Sequence, residues 1–508
     1  MRLNKGAFED CTGLAGVTIL GSVTAVGRSA FSGCTALTSV TLSERVTVIG
    51  DSAFSGCIAL TDMTIPDGTV TLGDSVFKNC VGLTSVTMPK SVTAIGDSAF
   101  SGCIGLTNVI IPEGVVTMGK SVFSGCKNLT GVTIPESVTN IGYNAFSDCF
   151  GLNEVDIADL AAWCRITFGG SDANPVFYAH KLYLNGTLIT GLTIPEDVTA
   201  IGGFAFIGCT GLTNVSIPEG VAAIGDCAFY GCTGLTGVTI PEGLTAIGDS
   251  AFGGCIGLKS VNIPKTVTVI GSGAFSGCTG LASVTIPEGV TVIGASAFYG
   301  CIGLAGVTIP EGVTTIGNYA FCGCSGLAGV TIPDSVTVIG SSAFGDCTGL
   351  TYVNIPGRVT AIGERTFYGC EKLMSVTIPE GVTAIGDYAF HGCTRLTDAT
   401  IPQGVTIIGC FAFSGCTALT SVTIPDSVTT IGEGAFFGCI RLARADISVG
   451  ISGIGATAFG ACSALRTVHF AGTTEQWKAI EKGVDWNAST PSSLKIICAN
   501  GELSKSEA

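Results

Sequence analysis

Residues 232–255 read CTGLTGVTIPEGLTAIGDSAFGGC, and this stretch decides the fold because variants of it recur along the chain every 23 residues. Within it, Leu235, Val238 and Ile240 form an apolar pattern that ends in a period of two, which is typical of a short strand. Pro241 has no N–H to give to a strand ladder and ends the strand, and Gly248 allows a further turn. The stretch therefore predicts one coil of a repeat structure.

Cysteine marks the repeat most clearly, because 19 of the 24 cysteines lie in two series with a spacing of 23 residues. A Phe precedes each of these cysteines by three residues, as Phe298 precedes Cys301. The marker cysteines are Cys11, Cys34, Cys57, Cys80, Cys103, Cys126 and Cys149, and then Cys209, Cys232, Cys255, Cys278, Cys301, Cys324, Cys347, Cys370, Cys393, Cys416, Cys439 and Cys462. A single coil cannot bury its apolar face, so stacked coils predict a solenoid with a continuous core and a parallel sheet.

The consensus LTSVTIPxxVTxIGxxAFxGCxxL resembles the BspA-type leucine-rich repeat, a family found on surface proteins of mucosal bacteria and protozoan parasites. The resemblance covers nearly the whole chain. It implies a right-handed leucine-rich-repeat coil with a parallel β-sheet on one face, short strands and turns on the other, and a small α/β cap at the C-terminus. It also implies adhesion to host or partner proteins at the cell surface or outside the cell, although the family shares a scaffold and not one ligand.

Composition excludes several classes of partner. The chain has 508 residues, a net charge of −15 and a pI of about 4.6, which disfavours nucleic acids and anionic membrane surfaces. The mean hydropathy is +0.58, but Gly, Pro and Thr interrupt every apolar stretch before it reaches the length of a membrane span. The opening MRLNKGAFEDC lacks the apolar segment of a signal peptide, so a cytoplasmic location stays open beside the extracellular one.

The repeat pattern divides the chain into four segments. Residues 1–157 form a first block of about seven coils, and residues 192–470 form a second block of about twelve. Between them, residues 158–191 form one coil that is about 14 residues longer than the others, in which Asn185-Gly186 predicts a two-residue hairpin turn. Residues 471–508 have the size of a cap.

The two ends of the chain differ. In the cap, Thr474 followed by EQWKAIEKG predicts a capped helix that ends at Gly483, and a strand is expected around Cys498. At the other end, Phe8 and Cys11 belong to the second half of a coil whose first half is expected upstream.

The sequence offers little for catalysis, cofactors or metals. It has three histidines and no recognisable nucleophile triad, carboxylate pair or phosphate loop, so we expect a non-enzymatic protein without a cofactor. Cys322 and Cys324 are too closely spaced for a metal site and have no His beside them. We expect the marker cysteines to be reduced and buried, as small apolar residues beside Phe.

Two rows of side chains recur outside the core. An acidic residue follows most of the repeat prolines, as in Glu242 and Glu311, and forms either a solubilising edge or a weak site for divalent cations. Thr recurs between the strand Val and Ile, as in Thr239, Thr285 and Thr308. β-Branched Thr suits an exposed strand, and the same row also fits a smooth binding face or, as a minor alternative, an ice-binding face.

Departures from these rows are the candidate contact residues, because binding hot spots favour Tyr, Trp and Arg over small side chains. The partner-binding candidates are Tyr352, Asn354, Arg444, Asp446, Arg466 and His469. Neutral drift near the cap, with a helpful Asp446–His469 pair, explains the last four equally well. Secondary candidates are Phe177, Tyr178 and Tyr183 in the long coil, which either fill a local core or project as a contact site.

These features favour a non-enzymatic adhesion or protein-binding module that uses its sheet face. The alternative is a structural surface protein that associates with itself.

We predict that the two blocks unfold partly independently, because the long coil interrupts the neighbour-to-neighbour stacking that carries cooperativity in a solenoid. Hydrogen exchange should show different protection in residues 1–157 and 192–470. Uniform protection with one sharp transition would contradict this prediction.

Overall fold

A computed structural model describes residues 1–507 and confirms the predicted solenoid of about 20 turns. It forms two compact units, Met1–Gly243 and Leu244–Ala508. In each unit a regular coil contributes two short strands. The front strand follows the repeat Leu, and the back strand precedes the repeat Gly.

The front strands of the first unit are Gly16–Thr18, Ser39–Thr41, Asp62–Thr64, Ser85–Thr87, Asn108–Ile110, Gly131–Ile134, Glu154–Ile157, Leu182–Leu184, Thr187–Leu188, Gly191–Thr193, Asn214–Ser216 and Gly237–Thr239. Those of the second unit are Ser260–Asn262, Ser283–Thr285, Gly306–Thr308, Gly329–Thr331, Tyr352–Asn354, Ser375–Thr377, Asp398–Thr400, Ser421–Ile424, Arg444–Ile447, Thr467–Phe470, Lys495–Cys498 and Gly501–Ser504.

The back strands of the first unit are Arg2–Leu3, Ala25–Val26, Val48–Ile49, Thr71–Leu72, Ala94–Ile95, Thr117–Met118, Asn140–Ile141, Thr167–Phe168, Ala200–Ile201 and Ala223–Ile224. Those of the second unit are Ala246–Ile247, Val269–Ile270, Val292–Ile293, Thr315–Ile316, Val338–Ile339, Ala361–Ile362, Ala384–Ile385, Ile407–Ile408, Thr430–Ile431, Gly453–Ile454 and Glu481–Lys482.

Regular strands pair in parallel with a register of one repeat, so that Val284 lies beside Val307 and Thr285 beside Thr308. In the strand Ser283–Thr285 the central Val is buried and the two flanking residues are exposed, as strand alternation requires. The expected row of threonines therefore lies on the outer face of the front strands.

A third side of each coil, here called the turn segment, runs from the repeat Gly to the repeat Cys and also pairs with its neighbours. Alternate N–H groups point to the next coil: Phe31 donates to the carbonyl of Ala53 and Gly33 to that of Ser55, each at 2.8 Å. The intervening N–H groups bond within the coil. This path needs left-handed backbone at Ser29 and Gly33, where φ is 52° and 74°. It thus satisfies backbone polar groups without a strand.

The repeat Phe and Cys join neighbouring coils at the turn segment. The Phe rings stack along each block, with centroids 5.2–5.8 Å apart. The carbonyl of Phe31 accepts from the N–H of Cys34 and from the thiol of Cys57 in the next coil, both at 3.2 Å. The same thiol bond recurs along the array at 3.0–3.3 Å. Most marker cysteines are therefore hydrogen-bond donors as well as core residues.

The long coil contains structure that the sequence did not predict. Two short helices, α1 at Leu160–Arg165 and α2 at Val176–Ala179, flank a 3₁₀ turn at Ser171–Ala173. The predicted hairpin is present, because Leu182–Leu184 pairs antiparallel with Thr187–Leu188 through a turn with positive φ at both Asn185 and Gly186.

Beside the long coil, hydrogen bonds from side chains replace part of the backbone hydrogen-bond ladder between coils. The indole N–H of Trp163 donates to the carbonyl of Ala205 at 2.8 Å, and the amide of Asn174 donates to the carbonyl of Phe204 at 2.8 Å.

The cap is confirmed as a small α/β element, with one correction. Its helix α3 spans Thr474–Ala479 and is capped by Thr473, whose hydroxyl accepts from the N–H of Gln476. The helix ends before Gly483 because Glu481–Lys482 joins the back-strand ladder beside Gly453–Ile454. Phe459, the last ring of the Phe stack, packs edge-on against Trp486, which in turn contacts the buried Trp477.

We predict that few thiols react with a small alkylating agent in the native protein and nearly all react after denaturation. Burial raises the pKa of Cys57 and Cys278 to about 12, which keeps these thiols protonated and unreactive near neutral pH. Cys11 is an exception to the expected burial because it lies exposed in the first coil, and Cys410 is only half-buried. Thiols that stay blocked in the denatured, unreduced chain would contradict the prediction.

Candidate functional site

Tyr352 is the most prominent aromatic residue on the front strands of the second unit. It lies beside Gly329 in the sheet register and is 56% exposed. A Cβ atom at Gly329 would lie 2.5 Å from Cε1 of Tyr352, so the tyrosine ring covers this glycine. The neighbouring candidate Asn354 is exposed between Thr331 and Thr377. The sheet therefore presents one aromatic ring beside an amide within a row of small side chains.

Arg444 and Asp446 lie four coils further along the same face. The Nε atom of Arg444 donates to both carboxylate oxygens of Asp446, at 2.7 and 2.9 Å, and both residues lie on one strand. An exposed pair of this kind contributes only about 0.2–1 kcal/mol to stability. The pairing leaves a locally neutral group that still offers guanidinium N–H donors to a partner.

His469 and Arg466 take different positions near that pair. Asp446 is the register neighbour of His469, but its carboxylate bonds to Arg444. Asp446 and His469 line a shallow cavity of about 320 Å³ together with Ile497. Arg466 lies just before the strand, and its guanidinium donates to the carbonyl of Ser463 at 3.4 Å. The structure thus brings Asp446 and His469 together at the cavity, and Arg444 is linked to them through its pairing with Asp446.

The secondary candidates in the long coil separate into two places. The hydroxyl of Tyr178 donates to Asp172 at 2.9 Å and accepts from the N–H of Asp148, and its ring contacts Phe177 and Phe150 edge-on. Burial is the first cause that raises the pKa of the Tyr178 hydroxyl. These contacts give Tyr178 a structural role, while the ring of Phe150 projects with 69% of its surface exposed.

Tyr183, by contrast, lies on a front strand beside Asp156. The three aromatic candidates of the long coil therefore do not form one site.

The long coil also forms a groove of about 1200 Å³ that the sequence did not reveal. Its walls include α1, the hairpin residues Leu184 and Asn185, and the acidic row at Glu113 and Glu136. Two of its carboxylates have partners in the chain, because Asp159 caps α1 and Asp197 pairs with Arg165 at 2.6 Å. The hydrogen bond from Arg165 is the main cause that lowers the pKa of Asp197.

Glu113 is also paired, since its carboxylate lies 2.6 Å from Nζ of Lys90. Asp197 and Glu113 are therefore each paired with a basic side chain, whereas the hydrogen-bond partner of Asp159 is the uncharged N–H of Ala162.

Sequence analysis also missed bulky residues on the turn segments of the second unit. Tyr319, Arg365, Tyr388 and Phe411 occupy the left-handed position that Ser29 occupies in an ordinary coil. In the sequence these residues stand where most coils have Ser or Gly before the repeat Ala-Phe. Only the structure shows that this position has positive φ.

Within residues 1–507 there is no group of three or more His, Cys, Asp or Glu side chains arranged to hold a metal ion. The acidic row thus forms no such group in that part of the chain. No helix in this range is both long and apolar enough to cross a membrane.

Comparison with protein families gives a match to the model described as the BspA type leucine-rich repeat region. The model, which represents six copies of the repeat, matches residues 1–130, 48–168, 179–305, 291–406 and 383–484. These ranges include both repeat blocks and the start of the cap. A search of curated proteins found no match.

Solved structures of bacterial repeat proteins are similar to the chain. A leucine rich cell surface protein from Faecalibacterium prausnitzii is 33% identical over 58% of this chain and 90% of its own, with a TM-score of 0.42. A leucine-rich repeat protein from Bacteroides ovatus is 26% identical over 88% of this chain and 87% of its own, with a TM-score of 0.35.

Proposed function

This chain belongs to the BspA-type leucine-rich repeat family, and from that premise we propose that it is a non-enzymatic binding module for a partner protein. The proposed contact surface is the outer face of the front strands in the second unit. The family resemblance supports a location at the cell surface or outside the cell.

The observation that carries this proposal is the contrast between two kinds of residue on one regular face. Most outward positions hold Thr, Ser, Gly or Asn, which contribute little binding energy individually. Tyr352 and Arg444 interrupt this background with the residue types that dominate binding hot spots. Both are more than half exposed, and each lies on a strand that is anchored by a buried core residue.

The spacing of the two residues suits one interface. Four coils separate them, which corresponds to roughly 19 Å along the sheet. A standard protein interface spans this distance. The front strands hold the two residues at a fixed separation. Binding of a partner that contacts both therefore costs the solenoid little conformational freedom.

We predict that Tyr352→Ala and Arg444→Ala each weaken binding of a protein partner by about 1–3 kcal/mol. Partners are first found on an array of purified extracellular proteins. Each hit is then titrated by surface plasmon resonance against the unchanged chain and the two variants.

Thr308→Ala is the matched control, because Thr308 is an outward residue of a monotonous coil and its loss should change the affinity little. If both test variants bind with unchanged affinity, the contact site lies elsewhere, and the aromatic hairpin region at 175–191 becomes the next surface to test.

A further inference from the structure

The turn segments of four neighbouring coils in the second unit depart together from the repeat. In most coils the left-handed position before the repeat Ala-Phe is Ser, Gly or Asn, since bulky side chains are strained at positive φ. Arg365, Tyr388 and Phe411 occupy this position in three successive coils, with φ between 52° and 57°. Strained bulky residues that cluster on a surface point to a role other than folding.

The side chains at these positions form one continuous surface, here called the aromatic ridge. Arg365 lies over the ring of Tyr388 at 4.8 Å, and Tyr388 stacks on Phe411 with centroids 5.2 Å apart. Beside them, Tyr368 stacks on His391 at 5.0 Å. The next coil adds the exposed ring of Phe437, which is part of the ridge.

A column of cations follows one border of the aromatic ridge. The residue two positions after the repeat Cys is Gly in most coils, because a Cβ there approaches the backbone of the previous coil; at Gly280 it would lie 2.5 Å from the oxygen of Ile256. Lys372, Arg395 and Arg441 are the only cations at this position in the sequence, and all three are exposed.

A column of carboxylates follows the opposite border. Glu364, Asp387 and Glu433 directly precede the left-handed position in the same coils that carry the three cations, and all three are exposed. Carboxylates also occur here in other coils, as at Asp74. The aromatic ridge therefore has a carboxylate column on one side and a cation column on the other; within its own chain Glu364 also pairs with Arg365, and exposed Glu371 lies beside Lys372.

We propose that a second copy of this chain docks on the aromatic ridge, with the two solenoids parallel and related by a two-fold axis along their length. This axis reverses the order of the columns, so that each carboxylate column faces the cation column of the other copy. Glu364 then faces Lys372, and Glu433 faces Arg441. An antiparallel arrangement would instead place like charges opposite each other, which disfavours it.

The contact is small, because four coils at about 4.8 Å per coil give a short ridge. Interfaces at the low end of the size range are weak or transient. We therefore expect a reversible dimer with a Kd on the order of micromolar. This inference goes beyond the proposed function, since the front strands lie on a different side of the coil and stay free for a partner.

The test is sedimentation velocity of the full chain over a range of concentrations at about 0.15 M salt, where long-range repulsion between the acidic copies is screened. An acid-swap variant carries Glu364→Lys and Glu433→Lys, and a base-swap variant carries Lys372→Glu and Arg441→Glu. Each variant alone should dimerise at least about tenfold more weakly, because like charges then face each other. An equimolar mixture of the two should recover the dimer, since every facing pair is again of opposite charge.

Two further variants keep the result decisive. Tyr388→Ser with Phe411→Ser restores the residue found at this position in the coils of Ser250 and Ser296, so it should fold normally and lose the dimer. Glu288→Lys with Glu311→Lys changes the same charge on the acidic row outside the ridge, and it should leave the dimer intact.

A chain that is monomeric at all concentrations would overturn the proposal, as would a dimer that survives the swaps or a mixture that fails to recover it. Sedimentation needs no ligand, and Tyr352 and Arg444 are unchanged in every variant. The experiment therefore tests dimerisation through the ridge separately from partner binding through the front strands.

Discussion

The hydrogen bond that most marker thiols donate to the Phe carbonyl of the preceding coil is the interaction on which the rest of the structure depends. It explains the Phe-x-x-Cys spacing, because one carbonyl accepts from the Cys N–H of its own coil and from the thiol of the next, as at Phe54, Cys57 and Cys80. Ala would lose the donor, and a larger apolar residue would have no room among side chains that are fully buried. Stacked Phe rings fill the space beside it, so packing and polar satisfaction repeat together in each coil.

Because of this arrangement, the inward and outward positions of a coil have different functions. The Phe, Cys, Leu and Ile positions are constrained by contact with both neighbouring coils, whereas outward residues contact mainly solvent. The surface can then change without loss of the core, as Tyr352 on a front strand and Tyr388 on a turn segment illustrate. Both lie where an ordinary coil carries a small residue, and both are supported by rigid backbone, which suits a binding surface.

Much of this structure could be predicted from sequence because the same pattern of apolar and turn residues recurs in every coil. The period, the buried thiols, the hairpin at Asn185-Gly186 and the register of Asp446 beside His469 follow from spacing and alternation alone. The helices of the long coil could not be predicted, since helices this short depend on tertiary contacts such as that of Trp163 with Ala205. The pairing of Arg444 with Asp446 also needed coordinates, because side chains two apart on a strand share a face without any rule that joins them.

The left-handed backbone of the turn segment could not be predicted from sequence either, because a Ser at that position gives no sign of positive φ. Infrared spectroscopy of the S–H stretch tests the thiol bond most directly, because the stretch lies where other protein groups do not absorb. The account predicts one dominant S–H band of the native protein, shifted to lower frequency than that of the unfolded chain, with a minor unshifted component from exposed Cys11. A native band at the frequency of the unfolded chain, or no S–H band, would contradict it.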